Sequence, residues 1–400
     1  MSSTQARALE EQYGSGAFQK FPVTLVRGSG ALVWDQAGKE YVDCMAGYGV
    51  AITGHCNPWV VDAIKEQTEK LITCHGSFYN DARSEFLEKL AKVTPKGLEA
   101  ALLTNSGTET VEAAIKLARR HTGRRGIVSM KGGFHGKTYG ALSATWNKKY
   151  REPFGPLVPD FDFAEYGDPR SLESKVSQDT AAVIAEPIQG ETGIIIPPPG
   201  YFKEVREICD RHGTLLILDE IQSGLGRTGR MWAGEHWGVV PDIMTISKGL
   251  GGGVPTGATV TRRDVMDSLK KGEHTSTFGG NPLSCAAASA NLDYIVKNRL
   301  PEMAEAKGKE LKAGLAGIAN HHKIVRDARG LGLMRALELR VDVHHVLLDA
   351  IDRGVILAYA GRDVIRLLPP IVISVEQMRK TLEVLEETVR LEESRRFGQN

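Results

Sequence analysis

The chain has 400 residues, of which 42% are hydrophobic and 25% charged, a balance that excludes a disordered protein. That length predicts two or three domains, or one large α/β domain with smaller additions. Lys+Arg 50 against Asp+Glu 49 leaves a formal charge of +1, so no global field draws the chain to nucleic acid or an anionic membrane.

Residues 1–30 read as irregular, with glycines punctuating polar sequence. Residues 31–35 and 39–44 flank a turn and predict a hairpin. Residues 58–71 and 83–93 carry apolar residues at helical spacing. From residue 100 the pattern alternates. Short apolar runs at 100–104, 126–130, 181–185, 214–218 and 243–246 predict strands, and 109–122 and 201–212 predict helices. Buried strands between helices argue for a mostly parallel sheet covered on both faces. Binding chemistry then belongs in the loops beyond the strands' C-terminal ends. A helix is expected over 282–298, and the pattern changes after it. Helices at 302–319 and 378–393 enclose strands at 323–326, 334–339, 355–358 and 364–367. The expected organisation is a large domain, 46–298, and a smaller α+β domain, 299–400. The segment 1–45 packs with the smaller one, because a lone hairpin is not stable.

No run approaches the ~18 apolar residues of a membrane span, and residues 1–12 lack a signal peptide's apolar core. The cysteines Cys44, Cys56, Cys74, Cys209 and Cys285 are odd in number and scattered. They show no metal-ligand spacing and fit a reduced, cytoplasmic setting.

Three segments resemble phosphate sites. Lys131-Gly-Gly-Phe-His-Gly-Lys-Thr138 looks like a P-loop, and Leu215-Leu-Ile-Leu-Asp-Glu220 like the acidic strand of an ATPase. A nucleotide hydrolase is therefore a rival reading. Its spacing fails, because Lys131 stands where the first glycine is required and Gly132 is one residue too close. Gly224-Leu-Gly-Arg-Thr-Gly229 is a literal G-x-G-x-x-G, but no clean helix and acidic strand follow it. Asn105-Ser-Gly-Thr108 fits better. Ser106 or Thr108 caps the next helix, and Gly107 admits an anion to its positive end; ordinary capping explains the same residues.

Lys248 ends a buried strand and is followed by glycines. A buried ammonium without a partner is costly, so such a lysine reaches out or does chemistry. Asp219 ends another apolar strand and calls for a cation or a protonated ring nitrogen. A lysine for an aldehyde, an aspartate for a pyridinium and a phosphate cup describe pyridoxal 5′-phosphate.

The segments Asn105-Ser-Gly-Thr-Glu109, Phe134-His-Gly136, Ala185-Glu-Pro-Ile-Gln-Gly-Glu191, Leu218-Asp-Glu-Ile-Gln222, Gly226-Arg-Thr-Gly229, Ser247-Lys-Gly249 and Ser276-Thr-Phe-Gly-Gly-Asn-Pro282 occur together in register. In this the chain resembles the class III (ω-type) aminotransferases of PLP fold type I, the aspartate-aminotransferase-like fold, over about residues 20–390. The resemblance implies a transaminase that uses pyridoxal phosphate. Lys248 is then the lysine that carries the cofactor and moves the substrate proton. Asp219 holds the ring nitrogen protonated, and Gln222 bonds the ring's 3-oxygen. Phe134 stacks on the ring, with His135 and Glu186 beside it. Ser106, Gly107 and Thr108 cup the phosphate. Thr277 reaches the phosphate of a partner subunit's cofactor, which implies a homodimer.

Glu191 and Arg366 resemble a pair that serves two substrates. The arginine takes glutamate's carboxylate in one half-reaction, and the glutamate covers it when an ω-amine enters. A plain salt bridge is the alternative. Lys137 stands where relatives place an arginine that grips the substrate's α-carboxylate; it keeps the charge without the fork. Phe18 stands near where ornithine-type enzymes place a tyrosine, which counts against free ornithine. The stretches 141–154 and 364–370 look most like archaeal-type enzymes of arginine and lysine biosynthesis. These pass an amino group between glutamate and the terminal semialdehyde of a blocked amino acid, acetylornithine or a substrate carried by the LysW protein. Diamine, 4-aminobutyrate and ornithine chemistry are the alternatives. Lys148, Lys149 and Arg151, with Arg124 and Arg125, form a basic cluster that suits an acidic carrier protein or an ordinary solvated face.

Overall fold

The computed structural model describes residues 2–397. Its first residues differ from the irregular chain expected. Ser3–Tyr13 is a helix, capped by the Ser2 hydroxyl accepting from the Gln5 N–H. None of its residues is buried, so it carries no apolar stripe for the sequence to show. Strand β1, Leu25–Ser29, then pairs antiparallel with β2, Leu32–Asp35, which pairs with β3, Glu40–Asp43. The β2–β3 turn is held by Asp35 Oδ1, which accepts from the Ala37 and Lys39 N–H groups.

The central sheet has seven strands. They are β4 Ala100–Thr104, β5 Gly126–Met130, β6 Phe161–Ala164, β7 Thr180–Ala185, β8 Leu215–Asp219, β9 Ile243–Ile246 and β10 Gly257–Thr261. Their order is β4-β10-β9-β8-β7-β5-β6, parallel from β6 across to β9, with β10 inserted antiparallel between β9 and β4. The sequence signal misses β6 and β10. The reason is plain in β10, Gly-Ala-Thr-Val-Thr. Its buried Thr259 and Thr261 hydroxyls donate to Thr110 O and Asp242 O, so polar residues sit inside the sheet without penalty.

Alternation along the strands builds two cores. Ala182, Ile184 and Ile217 face helix Gly107–Thr122 with Val111, Ala114 and Ile115. Val183, Leu216 and Leu218 face helix Tyr201–His212 with Phe202 and Val205. Asp219 shares the face of Ile217, because successive side chains alternate.

Beyond helices Pro282–Lys297 and Leu300–His321 lie β11 Val325–Leu331, β12 Met334–Leu339, β13 Val355–Ile356, β14 Ala358–Ala360 and β15 Val364–Leu367. The strand expected over 355–358 is split at Leu357. β13 joins β3 in parallel, with Val355 opposite Val42, while β14 joins the antiparallel sheet β11-β12-β15-β14. Helix Val375–Phe397 closes the described chain.

Candidate active site

The strands β4, β5, β7, β8 and β9 end along one edge of the central sheet, and antiparallel β10 begins there. Each end delivers chemistry. At the end of β8, Asp219 is buried; its Oδ2 lies 2.7 Å from His135 Nδ1 and its Oδ1 accepts from the Ile221 N–H at 3.1 Å. His135 comes from the loop after β5 and is fixed by its own N–H to Thr145 Oγ1. The segment that resembled a P-loop thus brings Phe134 and His135 to the strand ends. Its Lys137 is exposed, with Nζ 4.7 Å from the centre of the Tyr150 ring.

At the end of β7, burial pushes Glu186 up to about 7, against the pull of His135. Its two oxygens accept from the Phe134 and Gly190 N–H groups. One residue beyond Gly190, Glu191 Oε1 accepts from Arg366 Nη1 at 2.9 Å. Burial raises the Glu191 carboxyl, but Arg366, Lys248 and Lys137 outweigh it and hold it below its ordinary value. Arg366 lies on β15, is 1% exposed, and donates also to Gly190 O and Tyr359 O.

Lys248 follows β9 with a φ of +39°, in the left-handed region that non-glycine residues avoid. Such strain clusters at functional sites. Among the described residues no hydrogen bond or ion pair holds its ammonium. Burial lowers its pKa, while Glu191 and Asp219 pull it back up.

One cavity of about 220 Å³ gathers Gly107, Thr108, Phe134, His135, Glu186, Glu191, Asp219, Gln222 and Lys248 of the expected residues, with Gly136 and Ile221. Ser106 caps helix Gly107–Thr122, its Oγ bonded to the Glu109 carboxylate and accepting from the Glu109 N–H. The first-turn N–H groups of Gly107 and Thr108 therefore face the cavity ahead of the first intrahelical bond. Thr108 Oγ1 is tied to Thr138 Oγ1 at 2.8 Å.

Of the expected residues, Ser106, Lys137 and Arg366 adjoin that cavity without lining it, and Phe18 and Thr277 lie elsewhere. Phe18 does not line the cavity and is 77% exposed, because the turn after the first helix faces outward. Its neighbour Gln19 is exposed as well and accepts from the Tyr359 hydroxyl at 3.1 Å. Thr277 is exposed and does not line the cavity of its own chain. The basic cluster also divides. Arg124 is consumed by His212 O, Gly213 O and Thr180 O, and Arg151 lies 4.7 Å from the Phe163 ring, leaving Lys148, Lys149 and Arg125 exposed, the last with Nε 3.9 Å from Asp160 Oδ2.

Three tyrosines went unnoticed in the sequence. Tyr48 covers Arg366, with its ring centre 5.0 Å from the guanidinium carbon, and burial raises its phenol to about 12. Tyr150 meets Phe134 edge-on at 5.9 Å. Tyr359 lends Arg366 its carbonyl oxygen. The only local signal for Tyr48 was its place between Gly47 and Gly49, in a turn where all three have positive φ.

A buried carboxylate, a half-buried amine with no partner among the described residues and a helix N-terminus on one cavity define an enzyme that handles an anionic cofactor through a lysine. The family described as Aminotransferase class-III matches residues 13–389, and the chain belongs to it. The acetylornithine aminotransferase of Methanopyrus kandleri is 49% identical over 96% of this chain and 99% of its own length. The [LysW]-aminoadipate semialdehyde transaminase of Deinococcus radiodurans is 46% identical over 95% and 89%. Among solved structures, ornithine aminotransferase from Toxoplasma gondii matches with a TM-score of 0.95 and 34% identity, covering 99% of this chain and 96% of that one. Acetylornithine aminotransferase from Elizabethkingia anophelis matches with a TM-score of 0.87 and 32% identity, over 98% and 100%.

The protein is thus a class III transaminase of fold type I, and its cofactor is pyridoxal 5′-phosphate. Its own atoms fit that group. Gln222 Oε1 and His135 Nε2 are buried without a partner among the described residues, as expected of a polar wall that awaits a ligand. The cavity is also backed by glycine: a Cβ at Gly190 would lie 2.1 Å from Gln222 Oε1, and one at Gly136 2.3 Å from Thr108 Oγ1. No helix among the described residues is long and apolar enough to cross a membrane.

Proposed function

We propose that this transaminase moves an amino group between glutamate and the terminal semialdehyde of a blocked amino acid, acetylornithine or a carrier-bound counterpart. The observation that carries the reading is the Glu191–Arg366 pair beside Lys248. A buried guanidinium recognises the carboxylate of glutamate, and a neutralising carboxylate must cover it when the incoming substrate has none at that position. The names of the Methanopyrus and Deinococcus relatives support a blocked ω-amine over a free diamine.

Bound pyridoxal phosphate supplies the electron sink that makes a C–H bond next to nitrogen acidic. The chain's residues do the rest. Gly107 and Thr108 offer N–H groups to the phosphate, with Ser106 fixing their turn. Asp219, oriented by His135 and Ile221, presents a carboxylate to the ring nitrogen. Gln222 offers its free side-chain amide to the ring's 3-oxygen. Phe134 covers the ring, braced by Tyr150, and excludes water. Burial lowers the pKa of Lys248, which favours the neutral amine needed to take the substrate proton and return it. Lys137, whose charge acts on Glu191, serves the substrate's distal carboxylate.

The same reading places two chains in the working unit, in a cytoplasmic setting. Thr277 sits beside Phe278, 63% exposed, and the neighbouring loop exposes Leu71, Ile72, Phe78 and Tyr79. Arg83 ties the two loops by donating to Gly280 O and Phe78 O. Such an apolar patch suits a second copy of the chain. The large domain 46–298, the small domain 299–400 and the segment 1–45 describe one subunit of it. Lys148 and Lys149 remain for an acidic carrier protein.

The test is a comparison of amine donors with 2-oxoglutarate as acceptor. N-acetylornithine is expected to exceed free ornithine, 4-aminobutyrate and putrescine in kcat/KM by at least about tenfold. A preference for putrescine or 4-aminobutyrate overturns the blocked-substrate reading.

A further inference from the structure

Among the described residues the two largest fully buried side chains are Arg227 and Arg366. Arg366 has Glu191. Arg227, in the loop Gly224-Leu-Gly-Arg-Thr-Gly229, has no carboxylate partner among the described residues. Its Nη1 donates to Leu333 O at 3.2 Å and to Pro369 O, and its Nε and Nη2 have no partner among the described residues. The Leu333 N–H donates back to Arg227 O at 3.0 Å. Contact around the loop is tight, since a Cβ at Gly332 would lie 2.4 Å from Thr228 C.

The two carbonyls are not equivalent to any other pair. Leu333 leads into β12 and Pro369 follows β15. Those strands pair with Ala336 opposite Arg366. The loop itself follows Asp219 and Gln222 directly in sequence. One guanidinium therefore ties the strand that bears Arg366, and its neighbour, to the segment that bears the cofactor contacts. An unpaired buried cation is a poor source of stability, because an apolar side chain avoids its desolvation. What it supplies is a rigid, directional bridge.

We propose that Arg227 is a positioning residue for the carboxylate end of the site: by locking the ends of β12 and β15 to the loop after Asp219, it fixes Arg366 relative to Lys248. This rests on the reading of Arg366 as the glutamate binder. Its effect is confined to the half-reaction that uses Arg366. A misplacement of the order of 1 Å costs up to about 100-fold in rate or affinity, and a single lost anchor a fraction of that.

The experiment compares the two half-reactions of the cofactor-loaded enzyme, with glutamate and with N-acetylornithine, in Arg227→Met and Arg227→Lys. The expected result is a rise of about tenfold in KM for glutamate in Arg227→Met, with partial rescue by lysine. The N-acetylornithine half-reaction, the visible absorption of the bound cofactor and Tm stay near those of the parent. Equal losses in both half-reactions, or none in either, overturn the proposal. If Arg227→Met is insoluble, Arg227→Lys decides alone: a glutamate-selective rise of about threefold supports it and an unselective one overturns it. Arg366→Lys separates the two possible failures. If it raises the glutamate KM while the Arg227 variants do not, the positioning role is wrong. If it leaves the glutamate KM unchanged, the role of Arg366 is wrong and the inference falls with it.

Discussion

The two ends of the cavity are built by different means. The cofactor end hangs on the parallel sheet: Asp219, Glu186 and Lys248 each stand at or just past a strand's last residue. Its geometry follows from strand register, which a single residue shift would destroy. The carboxylate end joins distant pieces. Glu191 comes from the loop after β7, Arg366 from β15 of the antiparallel sheet, Tyr359 from β14 and Tyr48 from a turn after β3. A rigid end suits a cofactor that stays, and an assembled end suits two substrates that alternate.

The largest effects are expected at the rigid end. Lys248→Ala should reduce steady-state transamination by about 10³-fold or more, since it removes the one amine that, among the described residues, lines the cavity and can hold the substrate proton. A variant within tenfold of the parent would remove Lys248 from the chemistry. Asp219→Asn keeps the shape of the side chain but deletes its charge. Turnover should fall by about 10²-fold in both half-reactions alike. A loss confined to one substrate would mean that Asp219 serves that substrate and not the cofactor.

The contrast also explains what the sequence could show. Strand ends are local: the apolar run 215–218 followed by Asp219, or 243–246 followed by Ser-Lys-Gly, can be read in place, and so can the glycines that leave room for a ligand. The carboxylate end depends on contacts between residues hundreds of positions apart, such as Glu191 with Arg366 and Gln19 with Tyr359. No periodicity records those, and the pair was legible only through family resemblance. The same limit hid β10, whose buried threonines break the apolar pattern, and the exposed first helix, which has no stripe to show.

At the assembled end the effects should be smaller and lopsided. Glu191→Gln leaves Arg366 without its counter-charge. The KM for glutamate should fall by about three- to tenfold, because the guanidinium no longer has to give up a partner first. The N-acetylornithine half-reaction should weaken by a similar factor, since a buried cation then meets an uncharged part of the substrate. Half-reaction kinetics read both numbers. Equal changes in the two directions would show that the pair is a plain structural salt bridge.

The smallest effect concerns stability at the rigid end, behind Asp219. The next residue, Glu220, is buried beside Trp232 in a separate cavity. Its carboxyl accepts from Ser223 Oγ and the Gly234 N–H. Burial pushes it up from 4.5 to about 7, and those hydrogen bonds only partly oppose the rise. A carboxyl with a raised pKa holds its proton in the folded state where the unfolded chain has already released it. Between pH 4.5 and about 7 the folded state therefore binds more protons, and stability falls as pH rises through that window, then levels off. The full change is on the order of 3 kcal/mol as an upper bound. Glu220→Gln keeps an acceptor for Gly234 and a donor for Ser223 but cannot ionise. Its urea midpoint should lack this part of the pH dependence between pH 4.5 and about 7, while its transamination stays within about twofold of the parent. A midpoint that tracks the parent at every pH would mean that folding does not shift the protonation of Glu220. A loss of activity like that of Asp219→Asn would mean that the two faces of this strand end act as one unit.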